Sequence, residues 1–267
     1  MSRELKREDC IVSDFLRSIG PWDNYIVLGG GYALIIYKLY LANQEVGIAP
    51  VGTHDLDSLI PRKVPSFMNK NIAYCLKESG FIPIFKDYGN PATEAYVKEI
   101  NGFEVEIEFL TDSVTRGDKN KNVLIAGVVA QPLSYLSLSL QMTLSFVTYS
   151  GERGLVVSPG AWMFHKGLTF PKRNAPSKAY KDLYGIWYAA TQLGEFSDKA
   201  VAELALLSQQ HSKWFKTFQK NLHQWMENAA PIDWSRLEAQ DPSGRLKKLN
   251  FEKIIKSIIS RKENQKS

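Results

Sequence analysis

Residues Gly29 to Pro61 read GGGYALIIYKLYLANQEVGIAPVGTHDLDSLIP. Three consecutive glycines lead into a long apolar run with helical spacing, and Asp55 and Asp57 follow, separated by one leucine. Alternate residues of a strand share a face, so two such acids sit with their Cα atoms about 6.5–7 Å apart and repel one another. A divalent cation offsets that cost, because Mg²⁺-like ions prefer oxygen ligands. Glycines immediately before a helix add a second half to the pattern, since backbone N–H groups at a helix start bind phosphate oxygens.

Working outward from this stretch, SRELKREDCIVSDFLRSIG has helical periodicity and ends at a Gly-Pro stop. NYIVLGG predicts a short strand running into the glycines, YALIIYKLYLANQ an amphipathic helix, and HDLDSLIP a strand with one chemically active face. PSFMNKNIAYCLKESG reads as a helix closed by Gly80, and FIPIFKD follows it. TEAYVKEINGFEVEIEFLTD contains a hairpin signal, Asn101-Gly102. Beyond that turn Glu104, Glu106 and Glu108 point to one strand face, with Val105, Ile107 and Phe109 on the other. The uncharged stretch from Asn122 to Gly151 reads as a buried strand followed by an amphipathic helix, its serines, threonines and glutamines being too polar for a membrane span. From about Pro159 onward the pattern is almost wholly helical. This order predicts an α/β (α+β) domain over residues 1–157 and a helical domain over residues 158–267.

Bulk properties narrow the function classes. The 267 residues are 44% hydrophobic and 23% charged, as in ordinary globular proteins. Thirty-three Lys and Arg against 28 Asp and Glu give a net charge of +5, a mild lean toward anionic partners such as nucleotides or RNA. Two cysteines, Cys10 and Cys75, lie far apart, which excludes a disulfide framework and suits a reducing cytoplasm. The four histidines form no zinc-binding cluster. The charged N-terminus lacks the apolar core of a signal peptide. Taken singly, a D-x-D, a Gly-Gly or three alternating glutamates are ordinarily turns and solvated faces. Their order along the chain is what coincidence explains poorly.

That order resembles the DNA polymerase β-like nucleotidyltransferase superfamily, whose signature is a strand ending in Gly-Gly or Gly-Ser, a helix and a D-x-D strand. LGGGYAL…THDLDSLIP is especially similar to the bacterial branch that includes AbiEii-type toxins. The likeness spans roughly residues 26–190 and carries an apparent insertion, NQEVGIAPVGT, between the glycines and the acids. It implies a nucleotidyltransferase domain with a mixed sheet, followed by a helical C-terminal domain. By this match Gly30 and Gly31 are the glycine pair and Asp55 and Asp57 the metal-binding acids. Glu108, before Phe109-Leu110, takes the place of the third acid, with Glu106 as the alternative. Lys166 falls where the family has a lysine that contacts the triphosphate, and Lys181 and Asp182 line the cleft. Lys172, Arg173 and Lys178 lie on the intervening loop, where they could hold the nucleotide tail or an RNA backbone, or simply be solvated.

The implied activity is Mg²⁺-dependent transfer of a nucleoside monophosphate from an NTP such as ATP to an acceptor hydroxyl, with two ions and Mn²⁺ as a substitute. A toxin of this kind would act on tRNA or other RNA, would be matched by a cognate antitoxin, and would work in the cytoplasm without a membrane. The basic C-terminus, with Lys247, Lys248, Lys253, Lys256, Arg261 and Lys262, suits RNA as well as an ordinary amphipathic helix. A protein or small-molecule acceptor, and a non-catalytic nucleotide- or RNA-binding module of the same fold, are the alternatives.

Overall fold

The computed structural model describes residues 3–42, 50, 53, 55–65, 69–113 and 121–260. Most of the inserted stretch after Ala42, and the basic residues Arg261 and Lys262, lie outside the described residues. The chain divides into two compact units, one of Met1–Tyr40 with Gly52–Val157 and one of Leu41–Val51 with Ser158–Ser267.

In the first unit the described elements run, in chain order, α1 (Arg3–Ile19), β1 (Val27–Leu28), α2 (Gly30–Ile36), β2 (Asp55–Leu59), α3 (Ile72–Glu78), β3 (Ile82–Phe85), β4 (Glu94–Ile100), β5 (Phe103–Asp112), β6 (Val123–Ile125), β7 (Val128–Leu133), α4 (Leu136–Gln141), β8 (Thr143–Val147) and β9 (Arg153–Val157). The strands form one mixed sheet in the order β3-β4-β5-β2-β1-β9-β8, and β7 pairs with both β5 and β6. β2 runs parallel to β5 and antiparallel to β1, while β1 runs parallel to β9. β4 flanks β5 along Phe103–Glu108, and β7 takes over that flank along Phe109–Asp112.

The two faces of this sheet differ as the alternation in β5 requires. Val105, Ile107 and Phe109 are buried, and Leu56 and Ser58 of β2 are buried on the same side. α1 packs against α3, and Lys98 of β4 reaches Asp14 of α1 at 2.6 Å. The Asn101-Gly102 turn has positive φ at both residues (52° and 80°), the geometry a two-residue hairpin needs.

Three segments depart from the sequence expectations. The helix after the glycines is buried all round from Tyr32 to Leu39, Lys38 included, and ends in a π-helical turn, Tyr37–Leu41. Its tyrosines meet buried acids of α1: Tyr40 Oη donates to Asp9 Oδ1 at 2.7 Å, and Tyr32 lies close to Glu8. Burial, reinforced by these carboxylates, pushes both phenols well above their ordinary pKa, which keeps them neutral donors. The helix expected over PSFMNKNIAYCLKESG is described only as α3, capped by Asn71, whose side chain accepts from Tyr74 N at 2.8 Å. The stretch from Asn122 to Gly151 is a β6–β7 hairpin, the one-and-a-half-turn α4 and strand β8 rather than a strand and a helix. The hairpin turns on Ala126-Gly127, with φ of 47° and 86°, a turn that carries no Asn-Gly signal.

The second unit is helical, as expected: α5 (Pro159–Thr169), α6 (Pro176–Thr191), α7 (Glu195–Gln210), α8 (Ser212–Asn228), α9 (Pro231–Glu238) and α10 (Lys248–Ser260). α5 is its centre and packs on α6, α7 and α8. Phe164 lies 6.2 and 5.6 Å, ring to ring, from Phe215 and Phe218, and Gly167 leaves the space that Phe218 fills. Trp225, Trp234 and Phe251 join α8, α9 and α10 in one aromatic cluster. The helical pattern expected beyond Pro159 breaks at His211, whose φ and ψ of −118° and 51° end α7 before α8 begins. Among the described residues no helix is long and apolar enough to cross a membrane.

Candidate active site

The site in the first unit is assembled by strand pairing. β1 is only two residues long, so the chain reaches the glycines while still in register with β2, and Gly29 N donates to Asp57 O at 2.9 Å. Gly30 then adopts φ +53°, a conformation that L side chains rarely hold. A Cβ built there would stand 1.8 Å from Asp57 Oδ2, so the bare backbone lies directly on that carboxylate. At Gly31 the neighbour is the Thr53 methyl, 2.9 Å from a built Cβ. The glycines are therefore a close-approach surface fitted to β2.

The parallel pairing of β2 with β5 decides what surrounds the aspartates. Asp55 is the register partner of Glu106, and Asp57 of Glu108. Side chains at paired positions of adjacent strands project from the same face, so four carboxylates share one side of the sheet. Neighbouring strands are about 4.8 Å apart and alternate residues about 6.5–7 Å apart, which sets the four in a compact quadrilateral. Asp55 is exposed, and Asp57, Glu106 and Glu108 are half-buried. Glu104, the remaining acid of the alternating set, is exposed beyond the end of β2 and pairs in register with Glu99 of β4.

Like charges this close need a counter-charge, and the fold supplies one in Lys86. Its Nζ donates to both Glu106 Oε1 and Glu108 Oε1. Burial opposes the ammonium charge, but the bonds to Glu106 and Glu108 outweigh it and raise the Lys86 pKa. FIPIFKD gave no sign of this role, because it depends on which strands end up side by side. The donor set is oxygen-only and anionic, the chemistry that Mg²⁺ requires. Among the described residues no three His, Cys, Asp or Glu side chains converge as they would around a bound ion. Two of the four acids are instead turned to the Lys86 ammonium, which occupies them as a cation would.

The other candidates lie in the second unit. Lys166 of α5 is buried, its Nζ 2.9 Å from Asp182 Oδ1 of α6 and 5.5 Å from the centre of the Trp162 ring. Arg173 donates to the same carboxylate, Nε to Oδ2 at 2.6 Å and a terminal nitrogen to Oδ1 at 3.2 Å. Burial works against the Asp182 charge, yet Lys166 and Arg173 outweigh it and hold the carboxyl below its usual range. Two cations thus meet on one carboxylate. Lys181 is half-buried on α6 beside Asp182, and Lys172 and Lys178 are exposed. The loop residue Arg173 is thus a partner of Asp182, a pairing that the spacing of nine residues across a loop did not suggest.

A family model described as nucleotidyltransferase matches residues 11–204, nearly three quarters of the chain. The match takes in the glycines, the four acids, Lys86 and the Lys166–Asp182–Arg173 triad, and the chain belongs to this nucleotidyltransferase family. Among solved structures it is similar to an antigenic nucleotidyltransferase-like protein from Paracoccidioides brasiliensis, at 17% identity over 80% of this chain and 93% of that one, with a TM-score of 0.41. No curated protein matches it.

Proposed function

We propose that this nucleotidyltransferase moves a nucleoside monophosphate from an NTP to an acceptor hydroxyl in a Mg²⁺-dependent reaction. The observation that carries the reading is the register of β2 on β5, which sets Asp55 and Asp57 beside Glu106 and Glu108 with the Gly30 backbone against Asp57. Asp55 and Asp57 would hold the metal with Glu108, or with Glu106 in its place. When bound, the ions supply charge neutralisation at the phosphates and acidify the acceptor hydroxyl.

The rest is performed by this chain's own groups. Gly30 and Gly31 present backbone N–H groups to phosphate oxygens. The carboxylate of the third acid accepts the proton of the acceptor hydroxyl as that oxygen attacks the α-phosphorus, and pyrophosphate leaves. Lys166, with Lys181 and Asp182 beside it, is proposed on the sequence resemblance alone as the group that offsets the negative charge of the triphosphate. Positioning and electrostatics carry most of such a reaction.

RNA, as in a toxin of the AbiEii type with its own antitoxin, is the acceptor proposed first, on the strength of the sequence resemblance and the mild positive charge. Near the C-terminus Lys247 pairs with Glu238, and Lys248 and Lys256 share Glu252, so part of the basic charge there is offset within the protein.

The test is to incubate the protein, and its Asp55→Ala, Asp57→Ala double variant, with each α-³²P NTP, Mg²⁺ and total tRNA. Label in an RNA band that the double variant fails to produce is expected. Label on protein, or only on added small molecules, would replace RNA as the acceptor. No transfer and no Mg²⁺-dependent NTP binding would leave a non-catalytic module.

A further inference from the structure

Lys86 stands just past the end of β3, and its backbone N–H still donates to Thr93 O at 2.8 Å, continuing the β3–β4 ladder. β4 lies between β3 and β5, so the Lys86 backbone is two strand spacings, about 9–10 Å, from the strand of Glu106 and Glu108. The bonds between Lys86 and both glutamates form only if these side chains lean toward one another over β4. Ala95, the β4 partner of Glu108, is short enough to let them meet. That lean carries the glutamates away from β2, the opposite neighbour of β5, where Asp55 and Asp57 sit. Lys86 therefore offsets the charge of two of the four acids and draws those two off the aspartates.

We infer that Lys86 is a built-in counter-cation that holds Glu106 and Glu108 off the aspartates, so that a divalent ion gains its full set of carboxylates only by displacing the ammonium. This inference rests on the metal-dependent reading proposed above. Lys86 is a positioning residue in this role: it acts on the acids, and the acids act on the metal. It would set the metal affinity of the acid face low, leaving the face closed to adventitious cations until a metal–nucleotide complex brings enough charge to compete.

Titration of free Mn²⁺ by electron paramagnetic resonance, with no nucleotide present, reads this directly. Wild type, Lys86→Met, Lys86→Gln, Lys86→Arg and the Asp55→Ala, Asp57→Ala double variant are compared, with melting in EDTA to establish that each is folded. Removing a charged hydrogen-bond donor from the glutamates should tighten Mn²⁺ binding by roughly tenfold in the Met and Gln variants. The Arg variant, which keeps the charge, should bind like wild type, and the double aspartate variant should lose binding. Unchanged or weaker binding in both neutral variants, with wild-type binding still dependent on the aspartates, would overturn the role of Lys86 alone. Binding indifferent to Asp55 and Asp57, or absent from every protein, would overturn the metal reading and the inference with it.

Discussion

Replacing Gly30 by alanine separates the geometry of the site from the stability of the fold. The backbone there has φ +53°, and holding an L residue in that region costs on the order of 1–2 kcal/mol. The added Cβ would stand 1.8 Å from Asp57 Oδ2, whereas real Cβ contacts stay beyond 3.0 Å, so the carboxylate must retreat by about 1.2 Å. Forcing Asp57 off its preferred rotamer adds roughly 1 kcal/mol, for a total near 2–3 kcal/mol. On the proposed mechanism the functional cost is larger, since a displacement of about 1 Å in a catalytic group is worth roughly a hundredfold in rate. Urea unfolding followed by circular dichroism gives the first quantity, and nucleotidyl transfer by the folded variant gives the second. Gly31→Ala is the control. Its φ lies outside the positive region and its contact is with the Thr53 methyl, 2.9 Å away on a side chain that can rotate. It should therefore cost less stability than Gly30→Ala. A Gly30→Ala protein that is folded and transfers within threefold of wild type would refute the claim that Asp57 must sit where the glycine turn places it.

Asp182→Asn should destabilise the second unit by about 3 kcal/mol, because it leaves Lys166 buried with its charge uncompensated. The pH dependence has a definite sign. The folded pKa of Asp182 is depressed, so its contribution is fully present above the unfolded value of about 3.9 and is lost as pH falls through the lower, folded value. Urea midpoints of wild type and Asp182→Asn should differ by a constant amount from pH 7 to about 5 and converge in acid below about pH 4; divergence in acid would contradict the triad. Asp55→Asn removes one of four neighbouring carboxylates, so in EDTA it should raise the melting temperature while abolishing transfer, and a fall in melting temperature would show that Asp55 is stabilising where it stands.

Short-range rules made the acid face readable. Alternation in β5 and the D-x-D of β2 fix which side chains share a side, and Asn101-Gly102 fixes the hairpin, because both depend on residues a few positions apart. Glu108 and its alternative Glu106 are each the register partner of one aspartate, Asp57 and Asp55 respectively. What local rules could not supply is long-range pairing. Lys86 meets its glutamates 20 and 22 residues away because β3 adds at the far side of β4, and no periodicity encodes that strand order. Lys166 reads in the sequence as a cation for a ligand, yet its charge is shared with Asp182, which only the packing of α5 on α6 reveals. β8 is a five-residue strand whose serine and threonine pattern also fits a helix surface, and pairing with β9 decided it. YALIIYKLYLANQ reads as an amphipathic helix, whereas its residues from Tyr32 to Leu39 are all buried.

The central claim is that Asp55 and Asp57 direct attack at the α-phosphorus of an NTP. The most direct measurement follows α-³²P and γ-³²P forms of the same NTP in parallel, with Mg²⁺ and the acceptor that the screen identifies. Attack at the α-phosphorus puts α label in the acceptor and γ label in pyrophosphate, in equal amounts, both lost in the Asp55→Ala, Asp57→Ala variant. Transfer of the γ label to the acceptor, or undiminished transfer by the double variant, would contradict it.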